Sequence, residues 1–261
     1  MKEEDGMKFK RVKLMGKNLD DVRPKILARG MEIVDDNFDL VIAHGGDGTL
    51  LWAERDFPGV PKLPLRDART APQCVEHSYD RVLDALLADK LEETILPKLE
   101  CIYDDKRTIA LNDIFVHNLE RASALRYKVF IDNELYANEI VGDSVGVATV
   151  HGCTAYYRSI THSLFRVGLG LAFSNSTEEI NHLVIDDKSE VKIRIIRGPG
   201  LVIADNSPQT VEVPNQGEVI IRMAPERALI YGLKGFMCPA CRVLRHPNKL
   251  PFKIMIATEQ K

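Results

Sequence analysis

The chain has 261 residues, 45% apolar and 28% charged, a balance that supports a folded core and excludes a disordered or low-complexity class. Its 35 basic and 38 acidic residues leave a net charge of −3, which provides no global field for nucleic acid or for an anionic membrane surface. No apolar run approaches a membrane span, the opening Met1–Gly6 is too charged for a secretory signal, and five cysteines spread from Cys74 to Cys241 do not resemble a disulfide framework, so a cytoplasmic protein is expected.

In chain order, Phe9–Met15 alternates apolar and basic residues and predicts a first strand. Asn18–Asp21 then caps a short helix through Val22, Ile26 and Leu27 that stops at Gly30, and Met31–Val34 is a brief apolar piece. Asp39–Leu51 reads as a strand, a tight glycine loop and a helix start. Backbone N–H groups at Gly45, Gly46 and Gly48 can approach an anion closely, and the helix that follows adds its positive dipole end. Within this loop Asp47 is the odd member. A carboxylate in a phosphate cradle repels its ligand unless it serves chemistry, by holding a metal, taking a proton or bonding the hydroxyl to be phosphorylated. The loop has neither the Lys-Ser/Thr ending of a P-loop nor the Gly-x-Gly-x-x-Gly spacing of a Rossmann turn.

Phe57–Pro72 is rich in proline and charge and predicts at most a strand fragment followed by loop, whereas Tyr79–Leu87 carries apolar residues at helical spacing. From about Leu96 the pattern becomes β-like. Leu99–Tyr103, Thr108–His117, Arg126–Ile131 and Glu134–Ile140 read as strands, with Asp132–Asn133 as a hairpin turn. Glu190–Arg197, Leu201–Asp205, Thr210–Val213, Glu218–Met223 and Arg227–Leu233 continue the pattern. The expectation is an α/β lobe over 1–95, a β-rich lobe over 96–235, and a C-terminal tail over 236–261 that packs back on the first lobe.

Asn112 and Asp113 interrupt the apolar stretch Ala110–His117, and a buried Asn-Asp pair needs partners. Further on, Val141–Tyr156 runs from a strand into a turn of small residues ahead of a helix predicted over Tyr157–Phe165. Gly152, Cys153, Thr154 and Ala155 allow close backbone approach, and Tyr156 can stack on a ring, which suits an adenine or a ribose.

Taken together, His44–Gly45–Gly46–Asp47–Gly48–Thr49–Leu50, Leu111–Asn112–Asp113 and Gly152–Cys153–Thr154–Ala155–Tyr156 resemble the Gly-Gly-Asp-Gly-Thr, Asn-Glu and Gly-Ser-Thr-Ala-Tyr motifs of the NAD kinases. That family belongs to a superfamily shared with diacylglycerol and sphingoid kinases. The resemblance implies an α/β lobe and a β-rich lobe with the active site in the cleft between them. It implies ATP with Mg²⁺ as donor at Gly45, Gly46, Gly48 and Thr49, the adenosine ribose 2′-hydroxyl of NAD as acceptor, and Asp47 as base or hydroxyl-orienting group. Asn112 and Asp113 would hold the adenosine half of NAD, Asp143 would face the nicotinamide side, and Thr154, Ala155 and Tyr156 would line the adenine and ribose pocket. His151, Cys153 and Asp205 are further candidates, and a homodimer or homotetramer is implied. Alternatives are a kinase of the same superfamily acting on a lipid or sugar-like hydroxyl, and a non-catalytic nucleotide sensor.

The departures from the family pattern are specific. Asp113 stands for the usual Glu, Cys153 for a hydroxyl residue, and Asn206 for Gly after Asp205. Lys62–Arg69 replaces a glycine-rich segment, and Arg158–His162 replaces a Gly-Gly-Pro. Lys62, Arg66 and Arg69 could offer charge to a phosphorylated ligand, although a solvated loop is the expected reading. Cys238–Pro239–Ala240–Cys241 could clamp zinc with His246 and either Cys74 or Cys101. With no second Cys-x-x-Cys to complete four ligands, reduced surface thiols and no metal site are expected.

Overall fold

The computed structural model describes residues 8–245 except 121 and 180. The chain divides into two compact units, one built from residues up to Ile95 together with those from Ala228 onward, the other from Leu96–Arg227.

The first unit begins with β1 (Arg11–Gly16), a 3₁₀ turn at Leu19–Asp21, α1 (Arg23–Leu27) and β2 (Glu32–Ile33). β3 (Leu40–His44), α2 (Asp47–Asp56), β4 (Lys62–Leu65) and α3 (Tyr79–Leu87) follow. The strands are parallel in the order β2-β1-β3-β4. Leu40 and Ile42 pack with Val12, Leu14, Ile26, Leu63 and Leu83, while Val41 and Ala43 pack with Met15 and Ala53. Burial on both faces removes any need for alternation, which is why Leu40–Ala43 is a continuous apolar run.

The Pro61–Leu65 region is more regular than its composition suggests. All four residues of β4 are buried, because the Lys62 ammonium is neutralised inside the unit by Glu54 of α2 and bonds the Phe57 carbonyl. Lys62 is therefore a structural cation and not a ligand group.

The second unit contains β5 (Glu93–Tyr103), β6 (Lys106–Ala110), β7 (Asp113–Asn118), β8 (Leu125–Ile131), β9 (Glu134–Gly142) and β10 (Ser144–Ala148). After α4 (Tyr156–Thr161) come β11 (Leu169–Ser174), β12 (His182–Ile185), β13 (Val191–Arg197), β14 (Gly200–Ala204), β15 (Thr210–Val213) and β16 (Glu218–Tyr231). One layer is a six-stranded antiparallel sheet ordered β12-β11-β10-β7-β14-β15. Its inward Val145, Val147, Leu171, Phe173 and Val202 mesh with Tyr127, Val129, Val191, Ile193 and Ile221 of the other layer. Asp132 and Asn133 have φ of 53° and 68°, the left-handed pair that a tight β8–β9 hairpin requires.

Several strands differ from expectation. Thr108–His117 is two strands: β6 pairs with β5, the chain breaks at Leu111–Asn112, and β7 enters the six-stranded sheet. Glu218–Met223 and the Arg227–Tyr231 part of the expected Arg227–Leu233 strand belong to the single β16, which continues through Pro225, while Leu233 opens a helix. The helix expected over Tyr157–Phe165 is the shorter α4, and β11 and β12 had no signal in the residue pattern.

In the first unit, α5 (Leu233–Phe236) and α6 (Pro239–Arg245) follow β16. Among the described residues no helix is long and apolar enough to cross a membrane.

Candidate active site

The glycine loop sits at the carboxyl end of β3, the edge where open parallel sheets bind ligands. Gly46 caps α2, so Asp47 is the first helical residue and Gly48 and Thr49 complete the first turn. The Gly45 N–H donates to the Leu65 carbonyl (2.8 Å) and the Thr49 N–H to the Gly46 carbonyl (3.0 Å). The register His44↔Leu65 delivers the next residue, Arg66, beside the loop. Its Nη2 donates to Asp47 Oδ1 (2.8 Å), its Nε donates to the Phe236 carbonyl (3.2 Å), and its guanidinium carbon lies 3.7 Å from the Phe236 ring centroid.

Arg66 is thus buried, not solvated as expected, while the Asp47 side chain remains 63% exposed and can meet a ligand. Arg69, by contrast, is spent on a two-pronged bond to Asp21. Behind the loop, His44 Nδ1 donates to the Lys17 carbonyl (2.5 Å) and Nε2 bonds Tyr79 Oη (2.8 Å), which accepts the Ala68 N–H (2.8 Å). This chain anchors the segment that carries Arg66. The arrangement offers an anion the positive end of α2 and a fixed guanidinium, and holds one carboxylate at the mouth.

In the second unit, the break at Leu111–Asn112 is held from two sides. Asp205, at φ 51°, accepts the backbone N–H groups of Leu111 (2.7 Å), Asn112 (2.7 Å) and Asp113 (3.2 Å). Thr149 Oγ1 donates to the Leu111 carbonyl (2.9 Å) and accepts the Gly152 N–H (3.0 Å). A Cβ on Gly152 would lie 2.1 Å from the Asn112 carbonyl oxygen, so only glycine permits this approach.

Asn112 and Asp113 are both buried, and Asn112 Oδ1 and Asp113 Oδ2 have no hydrogen-bond partner among the described residues. Two buried, unpaired acceptors call for donors from a ligand, such as hydroxyls or an exocyclic amine. Burial, with the Asp205 carboxylate nearby, pushes Asp113 up to about 7, although a bond from the Tyr156 backbone N–H opposes the shift. Burial raises Asp205 as well, against its three backbone N–H bonds. Tyr156 is 37% exposed and packs edge-on to Phe115 (4.8 Å) and tilted against His117 (5.5 Å), so part of its ring surface can receive a base. Thr154 is half-buried beside it and Ala155 is exposed.

The remaining candidates divide. Asp143 lies between β9 and β10 and accepts from Asn175 Nδ2 (2.7 Å). His151 is half-buried at the entry to the 3₁₀ turn Gly152–Thr154. Cys153 is buried with Phe115, Ala148, Tyr157 and Phe165 and donates to the Phe165 carbonyl (3.5 Å), an apolar setting that accommodates a thiol in place of a hydroxyl. Asp205 is engaged by the three backbone N–H groups of residues 111–113. Thr149 and the carbonyl of Phe236 are the groups here that the residue pattern does not single out, and Arg66, a candidate cation in a stretch that reads as a solvated loop, is instead buried against Asp47.

The cysteine pair also departs from expectation. Cys241 is buried, not a surface thiol, and lies with Cys238 against Cys74 and His77. Cys101 is in the core of the second unit, and His246 lies outside the described residues.

No protein-family model matches the chain. Among individual proteins, the NAD kinase of Saccharolobus solfataricus is 33% identical over 201 residues, covering 73% of this chain and 74% of that protein. The NAD kinase of Clostridium perfringens is 27% identical over 234 residues, 84% and 79% of the two chains. The fold resembles the crystal structure of an Archaeoglobus fulgidus NAD kinase in complex with ATP, with a TM-score of 0.74, 18% identity and coverage of 90% and 99%. Yeast NADH kinase complexed with NADH gives a TM-score of 0.68 at 18% identity over 82% and 69% of the chains. With its glycine loop, its clamped Asn-Asp turn and a relative of this identity over most of both lengths, the chain belongs to the NAD kinase family.

Proposed function

We propose that the protein transfers the γ-phosphoryl group of MgATP to the adenosine ribose 2′-hydroxyl of NAD, giving NADP. The observation that carries the reading is Asp47, an exposed carboxylate at the positive end of α2. A site built only to hold an anion gains nothing from that charge.

In this reading the positive end of α2, at Gly46 and Gly48, faces the donor phosphates, while the Gly45 and Thr49 N–H groups, bonded to the Leu65 and Gly46 carbonyls, hold the loop in shape, and Mg²⁺ comes with ATP as its counter-ion. Asp47 takes the hydroxyl proton as the acceptor oxygen bonds to the γ-phosphorus. The bond to the bridging oxygen breaks and ADP leaves with its electron pair. Arg66 is a positioning residue, held by Phe236 and orienting Asp47 through Oδ1. Asn112 and Asp113 supply the acceptors that bind the adenosine half of NAD, Tyr156 with Thr154 and Ala155 lines the base, and Asp143 serves the nicotinamide side.

Purified protein with ATP, Mg²⁺ and NAD is expected to form NADP, and Asp47→Asn to abolish turnover without unfolding the chain. Parallel reactions with NADH and with other hydroxyl acceptors define the acceptor, and absence of NADP from the wild type would overturn the reading. A cytoplasmic homodimer or homotetramer belongs to the same proposal, and sizing in solution tests the assembly.

A further inference from the structure

Cys74, His77, Cys238 and Cys241 each present one ligand atom, and these four atoms lie within 4.8 Å of one another. Two short segments on the first unit bring them together. Cys74 caps a single 3₁₀ turn, Val75–His77, whose closing bond from the His77 N–H to the Cys74 carbonyl (3.0 Å) sets both side chains on one side. Cys238 immediately precedes α6 and its carbonyl accepts the Arg242 N–H (3.1 Å), while Cys241 lies within the first turn of that helix. Between the segments, Cys241 Sγ is 3.2 Å from the Cys74 backbone nitrogen and 3.2 Å from His77 Nδ1. Gly235 makes room for the imidazole, since a Cβ there would stand 3.1 Å from His77 Cδ2.

We infer that Cys74, His77, Cys238 and Cys241 form a structural zinc site that clips the segment after β16 to the loop between β4 and α3. Three thiols and one imidazole are a soft donor set suited to Zn²⁺ and unsuited to Mg²⁺ or Ca²⁺. Zn–S bonds of about 2.3 Å and Zn–N bonds of about 2.0–2.1 Å place tetrahedral ligand atoms about 3.5–3.8 Å apart, a contraction that side-chain rotation can supply. Four protein ligands leave no open position, which marks a structural and not a catalytic centre. On binding, the thiols release their protons to solvent and the metal replaces them.

The clip joins residues 167 positions apart, so it constrains much of the chain in the unfolded state. It also has a local consequence. Cys238 follows Phe236 and Met237, the residues whose carbonyl, ring and sulfur hold Arg66, and Arg66 in turn holds Asp47. The metal thereby steadies the groups around the glycine loop. Only this last step rests on the proposed kinase reading.

The test uses the full chain purified under reducing conditions. Metal analysis is expected to find about one zinc per chain. After chelation, titration with Co²⁺ is expected to give the visible bands of tetrahedral cobalt and near-ultraviolet sulfur-to-cobalt bands, saturating at one equivalent and displaced by Zn²⁺. Cys238→Ser with Cys241→Ser, and separately His77→Ala, should lose stoichiometric binding, while Cys101→Ala keeps it. Chelation should lower the melting temperature of the wild type. Should a cysteine variant fail to fold, the wild-type cobalt spectrum still decides. Wild-type protein with free thiols that takes up no stoichiometric Zn²⁺ and shows no sulfur-to-cobalt bands would overturn the inference, as would bands that persist in the double variant. None of these readouts depends on kinase turnover, so failure of the zinc site and failure of the NAD kinase reading are separable.

Discussion

The glycine loop of the first unit and the Asn-Asp turn of the second solve the same problem, holding polar backbone close to a ligand, by opposite means. The loop is contiguous, and a strand end, a helix N-terminus and one arginine suffice to shape it. Its key carboxylate stays exposed. The Asn-Asp turn is assembled from three stretches of chain, with Asp205 and the Thr149–Gly152 turn clamping residues 111–113, and its Asp113 carboxylate is buried. A site exposed at Asp47 can be altered with little cost to the fold, whereas a turn with Asp113 buried and Asp205 bonded to three backbone N–H groups joins the candidate site to stability.

The contrast predicts unequal outcomes. The largest is at Asp47: Asp47→Asn should lower kcat by about 10²–10⁴-fold, the range for loss of a general base, with the unfolding free energy within about 0.5 kcal/mol of wild type. A large loss of stability in that variant would break the comparison. Next, Asp205→Ala removes the acceptor for three buried N–H groups and should destabilise the protein by about 2–4 kcal/mol in urea unfolding, with Asp205→Asn intermediate. Gly152→Ala forces a methyl against the Asn112 carbonyl and should cost about 1–3 kcal/mol while raising KM for NAD more than KM for ATP. Equal changes in the two constants would mean that the turn is not on the acceptor side.

A further outcome is a pH dependence. The folded value of Asp113, about 7, lies above the value of about 3.9 for an unfolded chain. Between these limits the native state keeps a proton that the unfolded chain has released, so this group lowers stability as pH rises from about 4 to about 7. Asp113→Asn should remove that slope in pH-dependent unfolding of the ligand-free protein. The ionised form accepts donors at both oxygens, so KM for NAD should fall several-fold as pH rises through 7 in the wild type and stay flat in the variant.

The glycine loop was legible because its information is local. Gly45, Gly46 and Gly48 needed no distant partner to be recognised, and the apolar run before them and the helix after them fixed their place at a strand end. Arg66 is legible as a candidate cation but not as the buried partner of Asp47. In sequence it lies in a proline-rich, charged stretch, and only the pairing of β3 with β4 brings it to Asp47. Lys62 misled for the same reason, since its partner Glu54 is on α2 and the pair is buried together. Asn112 and Asp113 stand out as polar residues in an apolar stretch that reads as one strand. In the structure they mark the passage between two layers, so their polarity belongs to a turn. His77 could have been noticed through Cys74-x-x-His77, a spacing that mirrors Cys238-x-x-Cys241.

By itself the amino-acid order determined the strand–glycine loop–helix unit, the β-rich character of the second half and the candidate polar residues Asp47, Asn112 and Asp113. Those properties depend on neighbours within a turn or two, where glycine freedom, helix dipoles and apolar periodicity act. Only the tertiary structure decided that Arg66 steadies Asp47, that Asp205 binds backbone, and that four metal-ligating side chains converge beside α6. Each of these is a contact between segments far apart in sequence, set by strand register and by which charges can be buried together.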